Sequence, residues 1–347
     1  RQRATPWAEV GRARALAARG EDDAARGYLE RALDAYPNYL AAYDSLADIL
    51  KKTDTGAALQ VVERALKVAP STRRQRTLGG LAMDNRNFLR AEQAFRRVVE
   101  KDRTGFFKSH DDYAGLAKSC VEQGKTLEAL TAVRDMGSAF GRSPELTARQ
   151  AAVESIVQAR AGNAGAAAAA AERALAIQGS VGLDPATSLE IAQACFASGK
   201  ADQARRIIQQ VAEEHHEDDE VFGQARAVFT AVGLGEEGNA FLDATRKRMV
   251  KLNNDAVALA KAGELDRAVA MLTEAADRLV NNSQIAINAA LALLMHVQTK
   301  GRDVERLSLA RRYILQARRA NPDHPKLGDA AAFYAKVDPA GASSIEI

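Results

Sequence analysis

A short internal repeat constrains the fold of this chain more than any other feature. The tetrapeptide Glu-Arg-Ala-Leu occurs at residues 30–33, 63–66 and 172–175 of the 347-residue sequence. Seven residues before the alanine of each copy stands another alanine, and this position recurs along the chain as Ala25, Ala58, Ala91, Ala129, Ala167, Ala204, Ala268 and Ala310. Successive members are 33 to 42 residues apart, except for one gap of 64 residues. The chain therefore repeats one unit, and the long gap contains a degenerate copy.

Glycines mark a turn inside most of these units. Five of the alanines follow a glycine by five residues, at Gly20, Gly124, Gly162, Gly199 and Gly263. Glycine adopts positive φ without steric cost and commonly ends a helix. Apolar residues recur at three- and four-residue spacing on both sides of the turns, as in Tyr43, Leu46, Ala47 and Leu50. The pattern predicts an all-α chain of helical hairpins.

These residues resemble the tetratricopeptide repeat (TPR) superfamily, whose period is about 34 residues. The second repeat shows the match well, with Tyr43, Leu46, Ala47, Ala58 and Pro70. The resemblance extends over nearly the whole chain and is poorest in residues 217–248. It implies a right-handed superhelical solenoid of about nine TPR-like hairpins, with the first helices on the inner face and a C-terminal capping helix.

The repeat pattern divides the chain into four segments. Residues 1–214 contain repeats one to six, and residues 215–248 form a degenerate repeat that is a candidate hinge. Residues 249–337 contain the C-terminal repeats and a capping helix at about 326–336. Residues 338–347 contain proline, glycine and serine, so we expect a disordered tail there.

Composition narrows the classes of partner. The formal net charge of +3 gives little reason to expect nucleic-acid binding driven by counterion release. No run of about 18 apolar residues is present, so we expect no membrane span. Cys120 and Cys195 each stand four residues before a turn glycine, where cysteine serves as a small apolar filler. We therefore expect a cytoplasmic chain without disulfides.

The sequence predicts a protein that is not an enzyme and holds no cofactor. It contains no phosphate-loop, nucleophile-elbow, His-Glu-x-x-His or Cys-x-x-Cys motif. Residues 213–220 read Glu-Glu-His-His-Glu-Asp-Asp-Glu and offer metal-binding groups, but not four ligands at the spacing of a zinc site. We interpret this run as a solvated loop between repeats, with no metal bound.

A polar inner face is the candidate binding site. The residues expected to point inward from the first helices include Arg14, Asp44, Asp48, Arg73, Arg76, Lys118, Gln193, Asn253 and Asn254. Arginines and carboxylates form charge-assisted hydrogen bonds, so this face suits an extended or helical peptide. The cluster Arg73, Arg74 and Arg76 could bind phosphate or a carboxylate-rich peptide, or it could be a solvated helix start. Phe106 and Phe107 could form an exposed recognition patch, although packing on neighbouring helices is the favoured interpretation.

A second resemblance suggests a signalling role. Residues 71–79, 91–100 and 107–117 are similar to the TPR output region of certain bacterial two-component response regulators. This resemblance implies a receiver domain outside the present sequence. The predicted function is therefore a non-enzymatic scaffold that binds a protein or peptide. Two alternatives stay open: a self-assembling structural factor, in which a second copy is the partner, and an RNA-binding helical repeat.

Overall fold

The fold is all-helical within the part of the chain that the structure, a computed structural model, describes: residues 5–101, 108–140 and 143–341. In these ranges the chain forms eighteen α-helices and no β-strand. The helices belong to two compact units, Arg1–Gly182 and Leu183–Ile347. The all-α prediction is confirmed.

The first unit contains five helical hairpins. Its helices are α1 (Pro6–Ala17), α2 (Asp22–Ala35), α3 (Leu40–Leu50), α4 (Thr55–Val68), α5 (Thr72–Asp84), α6 (Phe88–Lys101), α7 (His110–Val121), α8 (Thr126–Phe140), α9 (Pro144–Arg160) and α10 (Ala164–Gln178). Each odd-numbered helix packs against the even-numbered helix that follows it. Adjacent hairpins also pack together, since α2 contacts α3, α4 contacts α5, α6 contacts α7, and α8 contacts α9. These are the helix contacts of a solenoid.

The turns and close helix contacts predicted from glycine and alanine are present. The five turn glycines all have φ between 74° and 81°. The eight recurrent alanines are completely buried, which lets the neighbouring helices approach closely. The third hairpin has no glycine at its turn, and Arg86 takes the left-handed conformation there, with φ 56°. This conformation is uncommon for residues other than glycine.

The second unit continues the hairpin arrangement and ends in a cap. Its helices are α11 (Pro185–Ala197), α12 (Ala201–Glu214), α13 (Asp219–Ala231), α14 (Gly235–Lys261), α15 (Leu265–Arg278), α16 (Ser283–Lys300), α17 (Val304–Ala320) and α18 (Leu327–Val337). The last helix, α18, packs on α16 and α17 and buries Leu327, Ala330 and Tyr334. The predicted capping helix is confirmed.

The degenerate repeat is built differently from our prediction. We expected one hairpin to end at about residue 248 and the next to begin at about 250, but α14 is a single helix of 27 residues. The sequence has no glycine or proline from 239 to 262, so nothing in it breaks the helix. The first part of α14 pairs with α13 and the second part pairs with α15. Because α14 serves two hairpins, the described residues form nine hairpins in all.

Two boundaries also differ from the sequence-based division. The two units divide between residues 182 and 183, and residues 215–248 lie within the second unit. A hinge in residues 215–248 stays a prediction. Residues 339–341 form a 3₁₀ turn, where Arg302 bonds to the carboxylate of Asp338 at 3.2 Å, so the expected tail is ordered at its start. Residues 342–347 lie outside the described ranges.

Candidate partner-binding face

Polar side chains connect the first helices of successive hairpins in the first unit. Arg14 of α1 donates from Nε to the Ser45 hydroxyl of α3 at 3.1 Å. Further contacts join α3 to α5, α5 to α7, and α7 to α9. We call this set the polar ladder, and its pairs are Arg14–Ser45, Asp44–Arg74, Arg76–Asp112 and Asp111–Arg149. The two members of each pair are 30 to 38 residues apart, which is about one repeat.

Two steps of the polar ladder have the geometry of strong ion pairs. Arg74 donates from Nε and Nη2 to the two carboxylate oxygens of Asp44, both at 2.8 Å. Arg76 donates from Nε to the oxygens of Asp112 at 2.9 and 2.8 Å. The Asp112 carboxylate is buried and requires a cation nearby. The Asp44–Arg74 pair is partly exposed and contributes only about 1 kcal/mol or less, so its main effect is to fix the register of α3 against α5.

The structure places the six predicted residues of the first unit in two groups. Arg14, Asp44 and Arg76 belong to the polar ladder, so their charged atoms already have partners within the chain. A ligand that used them would have to replace those contacts. Asp48 of α3 and Arg73 of α5 are exposed, while Lys118 of α7 is half-buried.

The three predicted residues of the second unit have separate environments. Gln193 is half-buried on α11. On α14, the side chain of Asn253 accepts a hydrogen bond from Asn288 of α16, and Asn254 is exposed. Asn253 therefore helps to attach α14 to α16, and its amide oxygen is already engaged.

The predicted site contained only three of the eight polar-ladder residues, Arg14, Asp44 and Arg76. Asp111, Asp112 and Arg149 were not among the predicted residues, yet each bonds to a carboxylate or a guanidinium one repeat away. The sequence signal that could have indicated these pairs is the spacing of oppositely charged residues by about one repeat. Repeat position indicates which residues face inward, but it does not indicate which of them come within bonding distance.

Glu213, Glu214 and His216 are buried and His215 is half-buried, so the prediction of a solvated loop was wrong for these four residues. The Glu213 carboxylate is buried and binds Arg248 at 2.5 Å and Arg278 at 3.1 Å. Asn282 donates from its amide to the Glu213 carbonyl at 2.8 Å and lies 3.0 Å from His216 Nδ1. Arginines from α14 and α15 and an asparagine before α16 therefore satisfy the polar groups of this run. Residues 217–220 are exposed, as expected.

Burial of histidines gives the second unit a predicted dependence on pH. Burial lowers the pKa of His215, His216 and His324 below the ordinary value of 6.5, although neighbouring carboxylates partly oppose the shift. The unfolded chain then binds protons more readily than the folded chain as the pH falls through 6.5. We expect a lower midpoint of thermal unfolding at pH 5.5 than at pH 7.5.

This pH effect can be assigned with one variant. His216→Gln keeps a hydrogen-bonding side chain but cannot take up a proton, so its unfolding midpoint should change less between the two pH values. Thermal unfolding followed by circular dichroism measures both proteins. Equal pH dependence in the variant and the parent chain would contradict the assignment to His216.

The two cysteines have the filler role that their positions predicted. Cys120 and Cys195 form no disulfide and are completely buried. Burial, followed by the charge of Glu92, raises the pKa of the Cys120 thiol to about 11, so it is not a thiolate at neutral pH. Phe106 and Phe107 lie outside the described residues, and the two interpretations of them stay open.

Neither a cluster of metal-binding side chains nor a membrane-spanning helix is present in the described ranges. No group of three or more His, Cys, Asp or Glu side chains there could hold a metal ion. None of the helices described combines the length and the apolar composition needed to cross a bilayer.

Comparison with known proteins supports the repeat class. Residues 158–228 match a family model described as tetratricopeptide repeat. The matched stretch contains two turn glycines, Gly162 and Gly199, and two of the recurrent alanines, Ala167 and Ala204. The TPR resemblance is therefore confirmed for this stretch, within a chain of stacked helical hairpins. No curated protein matches the chain at a significant level.

Solved structures with a similar fold are distant in sequence. One is PilW, a type IV pilus biogenesis factor, with 16% identity, a TM-score of 0.42 and coverage of 62% of this chain and 96% of that chain. Another is the pilF protein of Pseudomonas aeruginosa, with 16% identity, a TM-score of 0.39 and coverage of 62% and 94%. A tetratricopeptide repeat protein from Parabacteroides merdae has 9% identity, a TM-score of 0.40 and coverage of 95% and 98%.

Proposed function

We propose that the chain is a non-enzymatic scaffold that binds a peptide or a partner protein along the first helices of its first unit. The polar ladder is the observation that supports this best, because it holds α1, α3, α5, α7 and α9 together by direct side-chain bonds. A surface that is already ordered before binding loses little conformational entropy when a ligand arrives.

Exposed charges share this face with the polar ladder. Asp48 lies one helical turn after Asp44, and Arg73 lies one turn before Arg76, so each is on the same side of its helix as a ladder residue. Both side chains are exposed and carry opposite charges. Their placement suits a ligand that presents a cation to α3 and a carboxylate to α5.

The backbone of α5 is also open on this side. Gly80 follows Arg76 by four residues, and a Cβ added to Gly80 would meet no neighbouring atom within 4 Å. The space permits a ligand chain to lie close to the helix. An extended peptide could therefore contact α5 at Gly80 while its charged groups reach Arg73 and Asp48.

Site-specific photo-crosslinking tests this proposal. A benzoylphenylalanine at position 80 should form adducts with a protein in an extract of the source cells, and Arg73→Glu should reduce their yield by about tenfold, equivalent to about 1.4 kcal/mol of binding. The matched control carries the crosslinker at Arg97, an exposed residue of α6. Position 97 should give no such adduct, since α6 is the second helix of its hairpin.

Other outcomes separate the alternatives. The absence of adducts at position 80, or equal adducts at positions 80 and 97, would contradict the proposed face. An adduct with a second copy of the chain would support a self-assembling factor instead. A salt-dependent gel shift with random RNA would support an RNA-binding repeat.

A narrower proposal is that the chain is the output module of a bacterial two-component signalling protein and acts in the cytoplasm. Its support is the resemblance of residues 71–79, 91–100 and 107–117 to such regions, together with two buried cysteines that form no disulfide. A receiver domain encoded directly upstream in the same gene would decide for it. An unrelated domain there would count against the signalling role without affecting the scaffold.

A further inference from the structure

The second half of α14 has an unusually exposed surface. Among residues 250–261 only Ala256 is buried, whereas α11 buries eight of its 13 residues. Val250 is 47% exposed and Val257 is 37% exposed. The exposure of these two valines is unusual for this unit, because the apolar side chains on the first helices of its other hairpins are mostly buried.

The continuity of α14 explains this exposure. Side-chain hydrogen bonds join α12 and α13 to the first half of α14. The α14 residues in these bonds are Glu237, Asp243, Arg246 and Arg248. The second half packs on the other side, where Met249 and Ala256 join the core of α15 and α16. Elsewhere in this unit, the first helix of one hairpin packs beside the first helix of the next hairpin, as α11 packs beside α13. Because α13 pairs with the first half of α14, the second half keeps an uncovered flank.

Exposed residues on this flank form one stripe with a positive charge. Val250, Asn254, Val257 and Lys261 follow each other at spacings of three and four residues, so they share a helix face. Lys247 and Lys251 border the stripe, and both are exposed. A depression of about 530 Å³ lies over its first part, lined by Arg246, Lys247, Val250, Lys251, Asn254 and Asp255. We call Lys247, Val250, Lys251, Asn254, Val257 and Lys261 the α14 stripe.

We propose that the α14 stripe binds an acidic amphipathic helix of a partner protein. Apolar residues at three- and four-residue spacing pack against the same pattern on another helix. The lysines at both ends of the stripe reach carboxylates on either side of such a helix. On α14 itself, Lys251 pairs with Asp255 at 2.6 Å, and Asp243, four residues before Lys247, binds Arg226 of α13 at 3.2 Å. A second copy is a poorer occupant, because a symmetric contact would bring the same lysines together. This surface lies in the second unit and is independent of the face proposed above.

A designed peptide tests the α14 stripe directly. The probe is a fluorescein-labelled helical peptide with leucines at positions i, i+3, i+4 and i+7 and glutamates on both sides of them. Its fluorescence anisotropy should rise when the full chain is added. Val257→Asp and the double variant Lys247→Glu/Lys251→Glu should each weaken binding at least about tenfold. Added salt should weaken it further.

Matched controls identify the surface. Val304→Asp changes an exposed valine of α17, and Lys300→Glu changes an exposed lysine of α16, so neither should alter the affinity. A peptide with lysines in place of its glutamates should not bind. Circular dichroism confirms that each variant is folded. Arg73→Glu should leave peptide binding unchanged, which separates this test from that of the first unit.

Three results would overturn the proposal. One is no binding of the acidic peptide at low salt. Another is equal binding by the parent chain, Val257→Asp and the double lysine variant. The third is a dimer in light scattering that Val257→Asp converts to a monomer, because it would identify a second copy as the occupant.

Discussion

Replacing Gly238 by valine is expected to destabilise the second unit by about 3 kcal/mol. Gly238 is buried in α14, and a Cβ added there would lie 2.4 Å from the Cβ of Phe229 on α13. The Phe229 side chain is completely buried, and its Cβ is fixed to the helix backbone, so it cannot rotate away. The two helices must separate to admit the larger residue. Thermal unfolding of the full chain measures the loss, and hydrogen exchange should locate it in α13 and α14.

The matched control is the same substitution at Gly223. This glycine lies on α13, it is exposed, and an added Cβ would meet no atom within 4 Å. Valine has a better helix propensity than glycine, so Gly223→Val should change the free energy of unfolding by no more than about 0.5 kcal/mol. Equal effects at 238 and 223 would show that α13 and α14 do not pack as closely as described.

Truncating Phe95 to alanine is expected to cost about 3–5 kcal/mol of stability in the first unit. The ring is buried on α6 and lies between two glycines of neighbouring first helices. A Cβ added to Gly79 of α5 would lie 2.7 Å from the ring, and one added to Gly115 of α7 would lie 2.6 Å from it. The phenylalanine thus fills the space that both glycines leave, and alanine would leave a cavity between three helices.

An exposed residue nearby provides the reference for Phe95→Ala. Leu127 of α8 is 79% exposed, so Leu127→Ala should change the free energy of unfolding by no more than about 0.5 kcal/mol. Denaturant unfolding of both variants gives the comparison. A loss below about 1 kcal/mol for Phe95→Ala would mean that α5, α6 and α7 collapse around the site or do not enclose the ring.

Local and periodic features of the fold could be predicted from the sequence. The glycines that precede five of the recurrent alanines predicted turns with positive φ, and all five have that conformation. The recurrent alanines predicted close helix packing, and all of them are buried. These predictions succeed because φ freedom and side-chain volume are properties of single residues. The repeat period then places them on the same side of every hairpin.

The continuous helix α14 was missed although its signal was present. The absence of glycine and proline from 239 to 262 was visible in the sequence, but the expectation of a regular repeat placed a turn there. The polar ladder was predicted only in part, because its pairs form between repeats. Repeat position identified Asp44 and Arg76 as inward residues, whereas their partners Arg74 and Asp112 depend on the packing of adjacent hairpins.

The sequence by itself determined that this protein is a series of helical hairpins, because turn glycines, small residues and apolar spacing act within one repeat. The tertiary structure decided which charges neutralise each other and which helix face stays uncovered. Glu213 and Asn282 are 69 residues apart in sequence and meet only because α12 and the start of α16 are neighbours. Such contacts depend on the packing of whole helices, and no local pattern encodes that packing.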